Sequence, residues 1–130
     1  MVNWFREIKK NLIPKKKKYY QALADLNKSF EIDPNNVDVL RIRGETYYMM
    51  GKDEESLLDL NKLLKIELND AWSLRVRGSA YRMIKKYEES LVDLNRSLEI
   101  KPNDVLTLRQ RGSTYYMMYK YEESLADLNK

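Results

Sequence analysis

The chain of 130 residues contains no cysteine and no histidine. Without cysteine it has no disulfide, thiol nucleophile or thiolate metal ligand, and without histidine it lacks the usual general base and the commonest neutral metal ligand. These absences exclude zinc chemistry and hydrolysis by a serine–histidine or cysteine–histidine pair. Only four glycines and three prolines interrupt a chain in which 34% of the residues are charged, a composition typical of helical, water-soluble proteins. We therefore expect an all-α protein that is not an enzyme and holds no metal or cofactor.

Positive charge is concentrated at the amino terminus. Residues 1–18 hold seven basic residues against Glu7 alone, whereas the rest of the chain holds 17 basic and 19 acidic residues. The longest apolar run, Tyr115 to Tyr119, is five residues, far short of the roughly 18 that a membrane span requires. No apolar segment of a secretory signal follows the early charges. We expect an intracellular protein, cytoplasmic rather than nuclear.

A 34-residue period organises the sequence. Gly44, Gly78 and Gly112 recur at this interval, and a tyrosine follows each of them by three residues. Each unit then contains a Glu-Glu-Ser-Leu and an Asp-Leu-Asn sequence, and residues 37–62 are identical to residues 105–130 at 19 of 26 positions. A unit of this length and spacing resembles the tetratricopeptide repeat, a pair of helices joined by a turn.

The resemblance implies a right-handed α-solenoid of antiparallel helix pairs, in which the first helix of each unit lines the concave side. With the glycine counted as the eighth place of each unit, arginine occupies the seventh place, where the family favours leucine. Apolar periodicity predicts helices near residues 3–13, 18–32, 36–50, 53–67, 70–84, 87–101, 104–118 and 121–130. The expected divisions are a basic arm with a short amphipathic helix at 1–17, a lone second helix at 18–36, and repeats at 37–70, 71–104 and 105–130, the last incomplete.

The resemblance also indicates a binding surface, because ligand contacts in the family come mostly from the second, fifth, ninth, twelfth and thirteenth places. Here those places combine arginines with tyrosine, methionine and tryptophan, which suit an extended peptide with acidic groups. The expected groove residues are Arg41, Glu45, Tyr48, Met49, Trp72, Arg75, Ser79, Arg82, Met83, Arg109, Ser113, Tyr116 and Met117. In the alternative interpretation, the arginines form a solvated face and the methionines and tyrosines belong to the core.

One subclass of the family grips peptide C-termini with a two-carboxylate clamp of lysine, asparagine and arginine. In this chain Glu45 and Val76 stand at the asparagine places, and Leu106 replaces a lysine. The sequence therefore argues against binding of chaperone tails by that clamp.

The arginines of the seventh place are expected to be structural. An aspartate follows each of them by 16 residues, on the second helix of the same unit. We predict a half-buried bidentate bridge between the two helices, which fixes their register more than it adds stability. The predicted pairs are Arg43 with Asp59, Arg77 with Asp93, and Arg111 with Asp127.

The amino-terminal arm has two interpretations. An apolar stripe formed by Trp4, Phe5, Ile8 and Leu12 precedes Pro14. It indicates either a degenerate capping helix over the first repeat edge or a basic amphipathic anchor for an anionic membrane or nucleic acid. Lys15 to Lys18 is equally compatible with a nuclear address or a solvated linker.

The last unit stops at its twenty-sixth place, which leaves Leu125 and Leu128 on an unfinished edge. Either the chain is a piece of a longer array, or another chain covers this edge by end stacking or helix exchange. We expect a non-catalytic scaffold that binds a protein or peptide segment in its concave groove. The alternative is a self-assembling repeat module that associates through its edges.

Overall fold

The computed structural model describes the backbone of residues 4–129, with side chains from residue 16 onward except those of Tyr121 and Ser124. Within this part of the chain all regular structure is helical. The helices are α1 (Trp4–Ile32), α2 (Val37–Met49), α3 (Asp53–Ile66), α4 (Ala71–Met83), α5 (Tyr87–Ile100), α6 (Val105–Met117) and α7 (Tyr121–Leu128). From α2 onward they lie close to the predicted bounds.

The amino-terminal region differs from the prediction of two helices separated at Pro14. A single helix, α1, runs from Trp4 to Ile32, and the expected division between residues 17 and 18 falls inside it. Proline in a helix interior removes one backbone hydrogen bond and crowds the carbonyl four residues earlier, yet α1 continues through Pro14. The separate helix near 3–13 was therefore wrong. The side chains of its apolar stripe lie outside the described residues.

The helices form a curved stack. Each first helix (α2, α4 and α6) packs against the second helix of its own unit and the second helix of the unit before it. α4 also contacts both α2 and α6, whereas the backbones of α3 and α5 stay apart in the described part of the chain. Since the first helices lie closer together than the second helices, the stack bends toward them and they line its concave side.

Leucines from both kinds of helix form the core. Leu40, Leu63, Leu64 and Leu74 make one buried cluster, and Phe30 of α1 packs against it. These residues come from four consecutive helices, so each layer of the stack is held by its neighbours and not by a central core. This arrangement is characteristic of solenoids, in which stability comes from each unit and its contact with the next.

The repeated glycines allow the two helices of a unit to approach closely. A Cβ atom at Gly78 would lie 2.8 Å from Cγ of Leu94 and 3.2 Å from the carbonyl oxygen of Ser90. At Gly44 the nearest atom would be Cδ2 of Leu60, at 3.0 Å. Glycine costs about 1 kcal/mol of helix propensity relative to alanine, and close helix packing compensates for that cost here.

Gly78→Ala should destabilise the protein. The added methyl group would press on Leu94 and on the backbone of α5, and such overpacking typically costs about 1–3 kcal/mol, enough to outweigh the propensity gain of about 1 kcal/mol. Urea unfolding followed by circular dichroism should therefore show a lower midpoint. Gly44→Ala is the matched control and should lose less, because its closest neighbour is the flexible end of Leu60. A midpoint for Gly78→Ala at or above that of the wild type would contradict this account.

Candidate functional site: the concave face and its supports

Side-chain caps fix where the first helices begin. Asn36, Asp70 and Asp104 occupy equivalent places immediately before α2, α4 and α6, and each accepts hydrogen bonds from backbone amides of the first turn. Such caps satisfy amides that otherwise lack a partner within the helix. The second helices have no side-chain cap at Lys52, Lys86 or Lys120 in the described chain, and acidic residues in their first turns face the positive end of the helix dipole instead.

Arginine–aspartate pairs join the two helices of each unit. Nε and Nη2 of Arg77 each donate to a different carboxylate oxygen of Asp93, both at 2.7 Å. The equivalent bidentate pairs, at 2.6–2.8 Å, are Arg43 with Asp59 and Arg111 with Asp127. The aspartate side chains are only 3–6% exposed, so each bridge is largely shielded from water. The structure thus brings together every arginine and aspartate that the 16-residue spacing pairs.

Each arginine also has a second partner that the sequence reasoning missed. Nη1 of Arg77 donates to Oδ1 of Asn61 in the preceding unit, at 3.1 Å. Arg43 and Arg111 bind Asn27 and Asn95 in the same way. The repeated Asp-Leu-Asn sequence could have indicated this contact. Its aspartate faces the first helix of its own unit, and its asparagine faces the first helix of the next unit. We call this series of contacts the Asn–Arg–Asp ladder.

Carboxylates and aromatic rings surround the charged guanidinium groups of the ladder. Hydrogen bonding from the paired aspartate raises the pKa of Arg43, Arg77 and Arg111, although burial acts in the opposite direction. Each guanidinium lies 5.8–6.0 Å from the centre of the tyrosine ring four residues later, within cation–π range. Arg43 additionally stacks over Phe30 at 3.8 Å. The seventh-place arginines are therefore built into the helix packing and are not free to bind a ligand.

Arg77→Met should destabilise the protein far more than the double variant Arg77→Met with Asp93→Leu. Removing one member of a buried pair leaves an unpaired charge and costs about 3–5 kcal/mol, whereas replacing both members with apolar residues is often close to neutral. Chemical unfolding of the two variants and the wild type measures the difference. If the double variant were as unstable as the single one, the unpaired charge of Asp93 would not be the cause of the destabilisation, and this account would be wrong.

The thirteenth-place methionines are exposed. Met49, Met83 and Met117 are 45–55% accessible on the concave side, and Tyr116 is 59% accessible. The alternative interpretation, which assigned the methionines to the core, therefore does not hold for them. Of the remaining expected groove residues, two are exposed, Glu45 and Arg109. The others are half-buried: Tyr48, Trp72, Arg75 and Ser113.

Arg41 differs from the other fifth-place arginines. Its Nε and Nη2 atoms both donate to Asp70, and it also binds Glu67 and Asp38 at 3.0 Å each. Hydrogen bonding to Asp70 raises the pKa of Arg41, against the opposing effect of burial. Three carboxylates therefore occupy this guanidinium, and the expectation that Arg41 presents a free cation to a ligand was wrong.

Two of the three acidic partners of Arg41 are replaced around Arg75, whereas Asp104 keeps the place of Asp70 but makes no bond to Arg75 in the described chain. Trp72 stands where the first unit has Asp38, and Lys101 stands where it has Glu67. Among the described residues, Arg75 and Arg109 make no side-chain hydrogen bond or ion pair. The positive charge available on the concave face thus comes from α4 and α6.

One further expectation, that Ser79 lines the groove, needs correction. Ser79 is only 2% exposed, and its hydroxyl donates to the carbonyl oxygen of Arg75 at 3.0 Å. It is buried because the middle first helix, α4, has a first helix on either side, so Ser79 does not line the groove. Arg82 donates from Nη2 to Gln110 at 2.8 Å, and it thereby connects α4 to α6 as part of the groove wall.

Asp70→Asn should remove an acid-sensitive part of the stability. Burial alone would raise the pKa of Asp70, but hydrogen bonds from Arg41 and Ser73 outweigh it and hold the pKa below its usual value. A depressed carboxyl pKa stabilises the fold above the unfolded value of about 3.9, and this contribution is lost as pH falls through the folded value. Asparagine remains a good N-cap. The variant should therefore unfold more easily than the wild type at neutral pH, with the difference shrinking in acid.

Thermal unfolding at neutral pH and at roughly pH 3 measures this difference. Asp104→Asn is the control, because Asp104 caps α6 in the same way but has no arginine partner among the described residues. Equal, pH-independent losses in both variants would show that capping and not the contact with Arg41 is responsible.

Comparison with known proteins identifies the fold. No protein-family model and no curated protein matches the sequence. The chain superimposes on a crystal structure of MamA with a TM-score of 0.79 at 23% identity, covering 86% of this chain and 66% of that one. It matches the first tetratricopeptide domain of Spaghetti, bound to an HSP90 peptide, with a TM-score of 0.75 at 24% identity, covering 85% and 88%. A tetratricopeptide repeat protein from Parabacteroides merdae gives 0.80 at 24%, covering 89% and 45%.

The chain therefore has the tetratricopeptide-type helical repeat fold, an all-α solenoid. It spans less than two thirds of the length of the MamA and Parabacteroides chains. Within the described residues, no helix combines the length and apolar character needed to cross a membrane, and no three acidic side chains cluster as metal ligands would.

Proposed function

We propose that the protein is a non-catalytic scaffold that binds an extended segment of a partner protein along the concave face of α2, α4 and α6. The observation that carries this proposal is the row of exposed methionines beside Arg75 and Arg109, which have no side-chain partner among the described residues. Exposed apolar patches on soluble proteins mark interaction sites, and solenoids use their concave surface for binding.

The side chains of this face suit a segment that mixes apolar and acidic residues. Met49, Met83 and Met117 offer flexible, polarisable contacts that adapt to different apolar partners. Arg75 and Arg109 can each bind a carboxylate through two parallel hydrogen bonds. Because Arg41 is already neutralised, we expect the acidic part of the segment to lie over α4 and α6 and its apolar part to reach α2.

The fold comparisons support a peptide-binding role without fixing the ligand. The Spaghetti domain was solved bound to an HSP90 peptide, so another protein with this fold binds a peptide. Glu45, Val76 and Leu106 replace the residues of the carboxylate clamp. The proposed ligand is therefore an internal acidic and apolar segment and not a chaperone C-terminus.

Arg75→Glu combined with Arg109→Glu should weaken binding of fluorescent extended peptides that alternate acidic and apolar residues by at least about tenfold. Fluorescence anisotropy measures the affinity, and the same peptides with lysine in place of the acids should not bind. The control with the same change in charge is Lys28→Glu combined with Lys65→Glu, since both lysines are exposed on second helices. Absence of binding by the wild type, or equal weakening in the control, would refute the proposal.

A further inference from the structure

A groove runs along the outer side of the stack between α3 and α5, two second helices whose backbones make no contact in the described chain. Its cavity of about 300 Å³ is lined by side chains of both helices, by the turn after α3 and by one residue of α4. The lining residues are Asn61, Leu64, Lys65, Leu68, Arg77 and Arg96. Because the first helices line the concave side, this groove lies on the opposite face from the proposed peptide-binding surface.

Two of the lining residues depart from the repeat. Lys65 and Leu68 occupy places at which the neighbouring units agree with each other and differ from this one. The equivalent residues are Glu31 and Glu99 for the lysine, and Pro34 and Pro102 for the leucine. An exchange of an acid for a base and of a proline for an apolar side chain is therefore specific to the groove between α3 and α5.

The backbone does not require leucine at residue 68. Glu67, which precedes it, has φ −119° and ψ 92°, close to the φ −129° and ψ 85° of Lys101, which precedes Pro102. Proline at a place whose conformation it fits stabilises a protein by restricting the unfolded chain. Leu68 gives up that restriction and leaves an apolar side chain 63% exposed.

The polar groups of the groove offer hydrogen-bond donors. Arg96 donates from Nη2 to the carbonyl oxygen of Leu68 at 2.8 Å, and its other N–H groups have no partner among the described residues. Lys65 makes no hydrogen bond or ion pair in that part of the chain. Oδ1 of Asn61 accepts from Arg77, so the amide group of Asn61 retains its donors. A ligand must therefore supply acceptors, and two cations favour a carboxylate.

The equivalent groove between α1 and α3 uses its cation internally. There Nζ of Lys62 lies 5.1 Å from the centre of the Phe30 ring, and Glu55 is among the lining residues. In the groove between α3 and α5, Leu64 replaces the phenylalanine and Arg96 replaces the lysine. None of the described residues that line this second groove is aromatic or acidic, so its two cations remain available.

We propose that the groove between α3 and α5 binds a short segment of a partner protein in which an aspartate or glutamate stands between aliphatic residues. The carboxylate binds Lys65 and Arg96, and the aliphatic neighbours pack against Leu68. A long polyanion such as a nucleic acid fits this face less well, because Glu54 and Glu88 are exposed in the first turns of the same two helices. The protein thus holds separate segments on its two faces, and this inference does not depend on ligand binding by the concave face.

Nuclear magnetic resonance locates the binding of a short probe, the acetylated and amidated peptide Gly-Leu-Asp-Leu-Gly. In protein with ¹³C-labelled leucine and methionine methyl groups, the Leu68 signals should shift and saturate, and the same peptide with asparagine for aspartate should leave them unchanged. Arg75→Glu combined with Arg109→Glu should remove any shift of the concave methionines but preserve the Leu68 shifts. Unchanged Leu68 signals in the wild type, or their loss of response in this concave-face variant, would overturn the proposal.

Lys65→Glu combined with Leu68→Pro restores the residues of the equivalent places and should keep the helical circular dichroism of the wild type. Binding of the probe, followed at the Leu64 methyl groups, should weaken by at least about tenfold. Lys65→Glu alone leaves the turn unchanged and should also weaken binding. Lys28→Glu makes the same change in charge on an exposed residue of α1 and should bind like the wild type.

Three results of these titrations would contradict a specific carboxylate site. Undiminished binding by Lys65→Glu would show that its ammonium group does not contact the ligand. Equal weakening in Lys28→Glu would indicate general attraction between charges. Inorganic phosphate that shifts the Leu68 signals with an affinity equal to that of the peptide would indicate an unspecific anion site without recognition of the aliphatic neighbours.

Discussion

The register of the whole stack depends on the bidentate contact between a seventh-place arginine and the aspartate of its second helix. A planar guanidinium has several donors in fixed directions, so it can bind that aspartate and the asparagine of the previous unit at the same time. Arg77 does both. One side chain therefore fixes the helices within a unit and the spacing between units. An apolar residue in the same place would pack against both helices but would tolerate sliding.

The same contact explains why the neighbouring small residues are needed. For Arg77 to reach Asp93 in a shielded position, α4 and α5 must lie close together, and Gly78 permits this because it has no Cβ atom to meet Leu94. The adjacent carboxylate is only 3% exposed, so its charge must be compensated locally. Glycine and arginine in consecutive places thus act together. The glycine allows the two helices to approach closely, and the arginine binds the aspartate across the short distance between them.

Much of this was predictable from a single sequence because the period repeats every feature. Helix positions from α2 onward, the role of the glycines and the arginine–aspartate spacing all follow from three aligned units. The features that sequence reasoning missed occur only once or lie across a unit boundary. Arg41 is bound by Asp38 and Glu67, which the second unit replaces with Trp72 and Lys101, and by Asp70, whose equivalent Asp104 makes no bond to Arg75 in the described chain. The burial of Ser79 depends on having a first helix on both sides. Pro14 precedes the region where the period applies.

In the proposed function, the seventh place of each unit serves stability and the fifth place serves recognition. Seventh-place arginines are held by two partners each and point between helices, whereas Arg75 and Arg109, two residues earlier, have no side-chain partner among the described residues. Residues two apart on a helix do not share a face, so one helix can present a structural cation on one side and a binding cation on the other. The composition of the concave face can therefore change from unit to unit, as the first unit shows at Arg41, while the ladder that holds the units together stays the same.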